Sequence, residues 1–252
     1  MAEDIASIKK HFENADVTEY GRLIEYYMED GRAGVAALVK KYSTKLDKYH
    51  AECERIEKLR EYEEKYSDCE LICGIDEVGR GPLAGPVVAG AVILPKGCRI
   101  LYINDSKKLS EKKREELYDV IEKEAVAVGI GMVSPARIDE INILQATYEA
   151  MRQAISKLGK TPDILLNDAV TIPLVDIKQV PIIKGDAKSI TIGAASIMAK
   201  VTRDRMMEEY DAIYPEYNFK SNKGYGSTEH IQALKEYGPS PIHRTTFIKN
   251  FI

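Results

Sequence analysis

Four acidic residues draw attention by what precedes them. An apolar stretch leads into Asp76 and Glu77 in CGIDEVGRG, Asp168 ends the run ILLND, and Asp186 ends PIIKGD. A buried β run does not normally carry charge unless the charge is paired or binds a cation. Each acid alone has a plain reading. Asp76-Glu77 is a solvated strand end, Asp168 a turn residue, and Asp186 an N-cap for the helix that follows. Three such runs in one chain suggest more. If they are strands of one sheet, the acids gather at one edge, where neighbouring carboxylates raise one another's pKa. Divalent cations would relieve that repulsion, and hard oxygen donors with open water positions suit Mg2+ or Mn2+. Two such ions about 4 Å apart activate a water and stabilise the leaving oxygen of a phosphodiester. Successive strand residues face opposite sides of a sheet. Asp76 and Glu77 are therefore expected to share a site only if the strand ends or bulges there.

Gly79-Arg80-Gly81 follows the acids at once. Two glycines permit positive φ and a close backbone approach to a ligand. Exposed N–H groups in such a segment bind phosphate or a sugar hydroxyl. The pattern alone is equally a glycine turn.

The elements that must position these residues follow from periodicity. ELICGIDEV and PVVAGAVIL read as the first two strands and Val126 to Val133 as a third. Asp163 to Leu166 and Ile177 to Ile183 are short β runs bounded by Pro. Helices are expected from Ser110 (a plausible N-cap) to Ala125, from Ile138 to Leu158, and from Ser189 to Tyr214, ended by Pro215. Strands in succession, then helices and further strands, predict an α/β fold: a mixed sheet with helices on both sides. Composition shifts near residue 70. Before it lies a Tyr- and Lys/Glu-rich stretch without Pro, read as a helical N-terminal extension over 1–70 ahead of a separate domain over 71–252, which the resemblance below makes catalytic. Thr18 is a candidate cap for a helix stopping at Gly31, and a longer helix is expected from Ala33 to Tyr66. Val35, Tyr42, Tyr49 and Ile56 recur every seventh residue, with Val39, Leu46 and Cys53 in the alternate seam.

Net charge is −4 over 252 residues. Residues 1–70 hold 12 Lys+Arg against 17 Asp+Glu, a net of −5, which leaves 24 against 23 for the remainder. Charge thus neither supports nor excludes a nucleic-acid partner. The longest apolar run, Gly81 to Pro95, is too short for a membrane span. The first residues show no secretory pattern, so a cytoplasmic location without membrane contact is expected. Cys53, Cys69, Cys73 and Cys98 complete no zinc set and read as reduced thiols.

Four motifs then carry a resemblance. GIDEVGRGPLAGPVVAGAVIL from Gly74, NDSKKLS from Asn104, KGDAKSITIGAASIMAKVTRD from Lys184 and NKGYGSTEH from Asn222 are similar, in this order, to the signatures of ribonuclease HII, the type 2 ribonuclease H. The resemblance spans residues 71 to about 250 and includes the Gly-Arg-Gly form that type 3 enzymes lack. It implies a ribonuclease H-like α/β domain with a five-stranded mixed sheet. It implies an endonuclease acting on RNA–DNA hybrids and 5′ of ribonucleotides embedded in duplex DNA, with Mn2+ or Mg2+. Carried over, Asp76, Glu77, Asp168 and Asp186 match the catalytic, metal-binding acids. Gly79, Arg80 and Gly81 match the segment that reads the ribose 2′-hydroxyl. Tyr225 matches a tyrosine packed on the sugar at the junction, and Lys107, Lys108, Lys188 and Ser189 match positions near substrate phosphates. Ala169 stands where Gly is common, and Ser227 where Thr is frequent. Ser196, His230 and His243 read as structural, although His243-Arg244 is also a candidate for binding an acid or phosphate. A monomer is the default. The alternatives are another nuclease of the same fold, without a 2′-hydroxyl sensor, and a non-catalytic hybrid-binding protein.

Overall fold

The computed structural model describes residues Glu3 to Ile252; Met1 and Ala2, at the start of the extension placed at 1–70, lie outside the described residues. The chain divides into two compact units, the first ending at Glu57 and the second spanning Lys58–Ile252.

The first unit is helical. Helix α1, Ile5–Asn14, is capped by Asp4, whose side chain accepts from the Ser7 N–H at 2.9 Å. Asp16 and Glu19 form a capping box around a 3-10 turn that leads into α2, Tyr20–Tyr27. The expected helix from Thr18 to Gly31 is thus shorter, and Asp16 is its capping side chain. Helix α1 was not anticipated. Helix α3, Ala33–Leu59, carries the seven-residue repeat, with Val35, Tyr42 and Ile56 buried. Phe12 stacks on Tyr42 with centroids 4.4 Å apart, and Ile8, Tyr27 and Val35 complete that core. The tyrosines here pack the interior.

In the second unit α4, Glu61–Lys65, follows a break at Arg60, so the helix expected to continue to Tyr66 is interrupted. The sheet comprises β1 (Ile72–Val78), β2 (Val87–Ile93), β3 (Ala127–Val133), β4 (Ile164–Asp168) and β5 (Lys178–Ile182), in the order β3-β2-β1-β4-β5. β2 pairs antiparallel with β1 and β3, while β1–β4 and β4–β5 are parallel. Helix α5, Glu111–Glu124, begins after the Ser110 cap, as expected. Helix α6, Pro135–Ser156, starts earlier than expected because Ser134 caps it, and it is broken at Asn142 (φ 66). The Asn142 side chain restarts the turn by accepting from the N–H groups of Leu144 and Gln145. Helix α7 is Ile190–Ile213, and the short α8 (Phe219–Asn222), α9 (Thr228–Tyr237) and α10 (Thr245–Ile248) finish the chain.

Helices α6 and α7 pack on the sheet. Cys73, Ile75, Ala89 and Ala91 meet Ala150 and Ala154 of α6 in the main core. On the α7 side, a Cβ at Gly74 would lie 2.1 Å from the Thr191 carbonyl carbon. Only glycine lets α7 come down onto β1 at this point. No helix among the described residues is long and apolar enough to cross a membrane. All four cysteines are free thiols.

Candidate active site

Asp76 and Glu77 lie on β1, the middle strand. The β1–β4 register runs to Ile75↔Asn167, so the next step along each strand reaches Asp76 and Asp168. Asp168 is the last residue of β4, and Asp186 sits in a 3-10 turn, Gly185–Ala187, just before α7. The acids therefore gather at the carboxyl ends of parallel strands, where open α/β sheets characteristically bind ligands. The expected strand end or bulge at Asp76-Glu77 is absent on one side: β1 pairs with β2 without interruption through Asp76↔Gly90, Glu77↔Ala89 and Val78↔Val88. On the other side, pairing with β4 has already stopped, which opens that edge.

The electrostatics are those of crowded carboxylates. Burial, then the charge of Glu77, pushes Asp76 well above the usual carboxylate range. Burial also raises Glu77, against the lowering influence of Arg80. Asp186 is raised by burial and by the neighbouring Asp105 and Asp168. Asp105 is a further carboxylate beside Asp186 that sequence reasoning did not single out. Its position inside NDSKKLS was the available signal.

The donor set fits a hard divalent cation. Glu77 Oε2 is buried with no hydrogen-bond partner, an orphaned anionic oxygen that protein interiors rarely tolerate. The other orphaned oxygen on β4, the Asn167 side-chain Oδ1, belongs to an amide bonded to Gln179, and strand alternation turns it to the opposite face from Asp168. Yet among the described residues no three His, Cys, Asp or Glu side chains close around a point that could hold an ion. One oxygen on each of Asp76, Glu77 and Asp168 accepts from a protein donor. Asp76 Oδ1 accepts from the Glu77 N–H at 2.8 Å, Asp168 Oδ1 from the Gly185 N–H at 2.7 Å, and Glu77 Oε1 from Arg80 at 3.3 Å.

The Gly79–Gly81 segment adjoins this cluster. Gly79 takes φ +89, and a Cβ there would meet the Arg203 side chain at 2.3 Å. Two completely buried guanidinium groups lie beneath the loop. Arg203 donates to the carbonyls of Ala84, Pro86 and Lys223 at 3.0, 2.9 and 2.8 Å. Arg244 donates to the carbonyls of Gly79, Arg80 and Gly85. Burial holds Arg203 down to about 10; burial and the charge of Arg203 hold Arg244 down to about 9, so both are cationic at neutral pH. With its carbonyls turned inward, the segment leaves the N–H groups of Gly79, Arg80 and Gly81 without a hydrogen-bond acceptor among the described residues. Leu83 and Ala84 donate to the Gly224 carbonyl, which ties the loop to the Tyr225 turn. Tyr225 is 45% exposed, and its ring edge lies 3.8 Å from where a Gly81 Cβ would stand.

Lys107 and Lys108 are exposed on a 3-10 turn, and the charge of Lys107 acts on both Glu77 and Asp186. Lys188 is exposed just after Asp186. Ser189 departs from the expectation of a phosphate contact. It is completely buried, caps α7 by accepting from the Ile192 N–H, and gives its hydroxyl proton to Glu63. His230, His243 and Arg244 are structural, the last by holding loop carbonyls and no acid.

A mixed five-stranded sheet with helices on both faces and carboxylates on its central strand defines the ribonuclease H-like class of α/β nucleases. Residues 73–250 match the family model for ribonuclease HII, and residues 4–67 match the model for the ribonuclease HII N-terminal domain. Ribonuclease HII of Lachnoclostridium phytofermentans is 65% identical over 98% of this chain and 97% of its own. That of Clostridioides difficile is 53% identical over 99% of each. Among solved structures, ribonuclease H2 from Pyrococcus horikoshii is 29% identical with a TM-score of 0.57, covering 70% of this chain and 93% of its own. Bst-RNase HIII, solved with Mn2+, is 15% identical with a TM-score of 0.54, covers 70% of this chain and 67% of its own, and shares the fold. The chain belongs to the ribonuclease HII family. It is a ribonuclease, and its family depends on divalent metal.

Proposed function

We propose that the enzyme hydrolyses the RNA strand of RNA–DNA hybrids and cuts 5′ of ribonucleotides embedded in duplex DNA, leaving 3′-hydroxyl and 5′-phosphate ends. The observation that carries this reading is the juxtaposition of an orphaned carboxylate oxygen at Glu77 with a cation-backed loop whose N–H groups are free. Asp76, Glu77, Asp168 and Asp186 would hold the metal, Mn2+ or Mg2+. Two bound ions would supply the activated water and the charge stabilisation at the leaving oxygen. The chain's own part is alignment. The free N–H groups of Gly79, Arg80 and Gly81 bind the ribose 2′-hydroxyl, which only RNA offers. Tyr225 lays its ring on the sugar across from Gly81. Lys107, Lys108 and Lys188 fix the backbone through phosphates without reading sequence. Residues 1–70 form the extension and 71–252 the catalytic domain, acting as a monomer in the cytoplasm. The role belongs to removal of ribonucleotides from DNA.

The test is cleavage of a DNA duplex with one embedded ribonucleotide, using native protein and Asp76→Asn, with Mn2+ or Mg2+ and with chelator. Metal-dependent cutting 5′ of the ribonucleotide, absent in the variant and on all-DNA duplex, is expected. Equal cutting of all-DNA duplex would replace this reading with a nuclease lacking a sugar sensor. A second readout is thermal: Mn2+ raises the melting temperature of the native protein and not that of Asp76→Asn.

A further inference from the structure

Beneath the Tyr225 turn lies a hydrogen-bond chain whose direction can be worked out atom by atom. His243 Nδ1 receives the Ser240 backbone N–H at 2.9 Å. A backbone N–H can only donate, so Nδ1 carries a lone pair and the proton of neutral His243 sits on Nε2. That nitrogen lies 2.9 Å from His230 Nε2, which must then accept. The His230 proton is left on Nδ1, 2.8 Å from the Tyr225 carbonyl oxygen, to which it donates. The Ser240 hydroxyl, 2.8 Å from the same Nδ1, then also donates to its lone pair, and this one tautomer pair accommodates every contact. Any added proton sets two donors face to face somewhere along the chain.

The surroundings hold the pair neutral. His230 is completely buried and His243 is 3% exposed. The rings of Tyr217 and Phe219 pack on both imidazoles, and Tyr217 gives its own hydroxyl proton to the Gly238 carbonyl. A charge on one imidazole disfavours a charge on the other, and no carboxylate is bonded to either ring. Burial keeps both below the ordinary histidine value, His243 at about 4. The Tyr225 carbonyl also accepts from the Ser227 N–H at 2.8 Å, so this peptide is gripped twice while its side chain stays at the surface over Gly81.

We propose that His230 and His243 are positioning residues for hybrid recognition: their one-directional relay from Ser240 to the Tyr225 carbonyl sets where the Tyr225 ring stands opposite Gly81. The inference rests on the reading of Tyr225 as the sugar contact at the junction. A buried His pair that only filled space would be replaceable by apolar groups of similar shape. A pair that aims a ring must act through that ring.

The experiment reads selectivity, as the ratio of kcat/KM for duplex with one embedded ribonucleotide to kcat/KM for a long RNA–DNA hybrid. His230→Leu, which can neither accept nor donate, is expected to lower that ratio about tenfold, mostly through kcat, because misplacement of a contact group by about 1 Å carries penalties of that order or more. His230→Gln, whose amide does both, restores it to within about twofold. Tyr225→Ala lowers the ratio by itself, and adding His230→Leu to it lowers the ratio no further, the non-additivity expected of residues acting through one another. If Tyr225→Ala lowers the ratio and His230→Leu does not, or if the two losses add, the positioning role is overturned while the reading of Tyr225 stands. If Tyr225→Ala leaves the ratio unchanged, both fall together. A measurement on the native protein guards against variants that do not fold. Nitrogen-15 spectra at neutral pH should show His230 protonated on Nδ1 and His243 on Nε2. The opposite tautomers, or an imidazolium, would overturn the relay.

Discussion

The catalytic unit contains two buried polar regions that have been treated in opposite ways. In the acid cluster on β1 and β4, like charges crowd, pKa values rise, and Glu77 Oε2 is left without a partner. Under the Gly79–Gly85 loop and the Tyr225 turn, two cations and two neutral histidines are buried as deeply, and none of their polar atoms is orphaned. On the proposed function, the difference separates the place that takes up metal from the scaffold around it. An unsatisfied buried group costs the fold roughly 1–3 kcal/mol, which a bound cation beside Glu77 would offset. A satisfied one stabilises and fixes geometry. Another orphaned oxygen among the described residues, Glu63 Oε2, belongs to a carboxylate whose other oxygen accepts from Ser189 and Thr191 at the start of α7.

Substitutions should act in opposite directions in the two regions. The largest effect is expected from Asp76→Asn, which should cost at least about a thousandfold in turnover through loss of metal-assisted chemistry. The same change should raise the melting temperature without metal, because it removes one of the crowded, buried carboxyl groups. A lower melting temperature would break the contrast. Arg244→Met should unfold the protein more easily, by about 3–5 kcal/mol in urea titration, since four donated hydrogen bonds disappear and the carbonyls stay buried. A loss under about 1 kcal/mol would show that the loop does not depend on its cation.

The pH dependence sharpens the same contrast. The histidines are depressed in the folded state, so the unfolded chain binds their protons first. Their stability contribution is present above about pH 6.5 and is lost as pH falls toward the folded value of about 4 for His243. Over that window the loss should approach about 3 kcal/mol. The raised carboxylates act with the opposite sign: folding is penalised as pH rises above their unfolded values and relieved as it falls. Urea titrations on Asp76→Asn, where one opposing group is gone, should therefore slope more steeply with pH than those on the native protein. The smallest effect belongs to Ala169, which takes φ 57 right after Asp168. Ala169→Gly should stabilise by about 0.5–1 kcal/mol, because a side chain there is strained. The departure from the family's usual glycine is thus a small local cost.

Much of the fold was legible from periodicity. All five strands and the helices α5, α6 and α7 fall where alternating or helical patterns place them, and Ser110 caps as expected. The misses have local causes. Helix α1 is a single short amphipathic stretch whose cap, Asp4, stands near the chain start. The break at Arg60 and the restart at Asn142 have no Gly or Pro to announce them. Ser189 was misjudged because a hydroxyl beside a site acid looks the same in sequence whether it faces phosphate or a buried glutamate.

The sequence by itself determined which oxygens, glycines and lysines were available, and the order of motifs that ties them to a family. It also determined the sheet's strands, since alternation and β-branching are local properties. Only the tertiary structure decided that β1 stays paired with β2 through both acids while parting from β4 beside them. Only it showed Arg203 and Arg244 turning the loop's carbonyls inward, and His230 meeting His243 beneath Tyr225. These contacts join residues far apart in the chain. Which buried donor meets which acceptor depends on how α7, α9 and the C-terminal turn converge, and no local spacing encodes that.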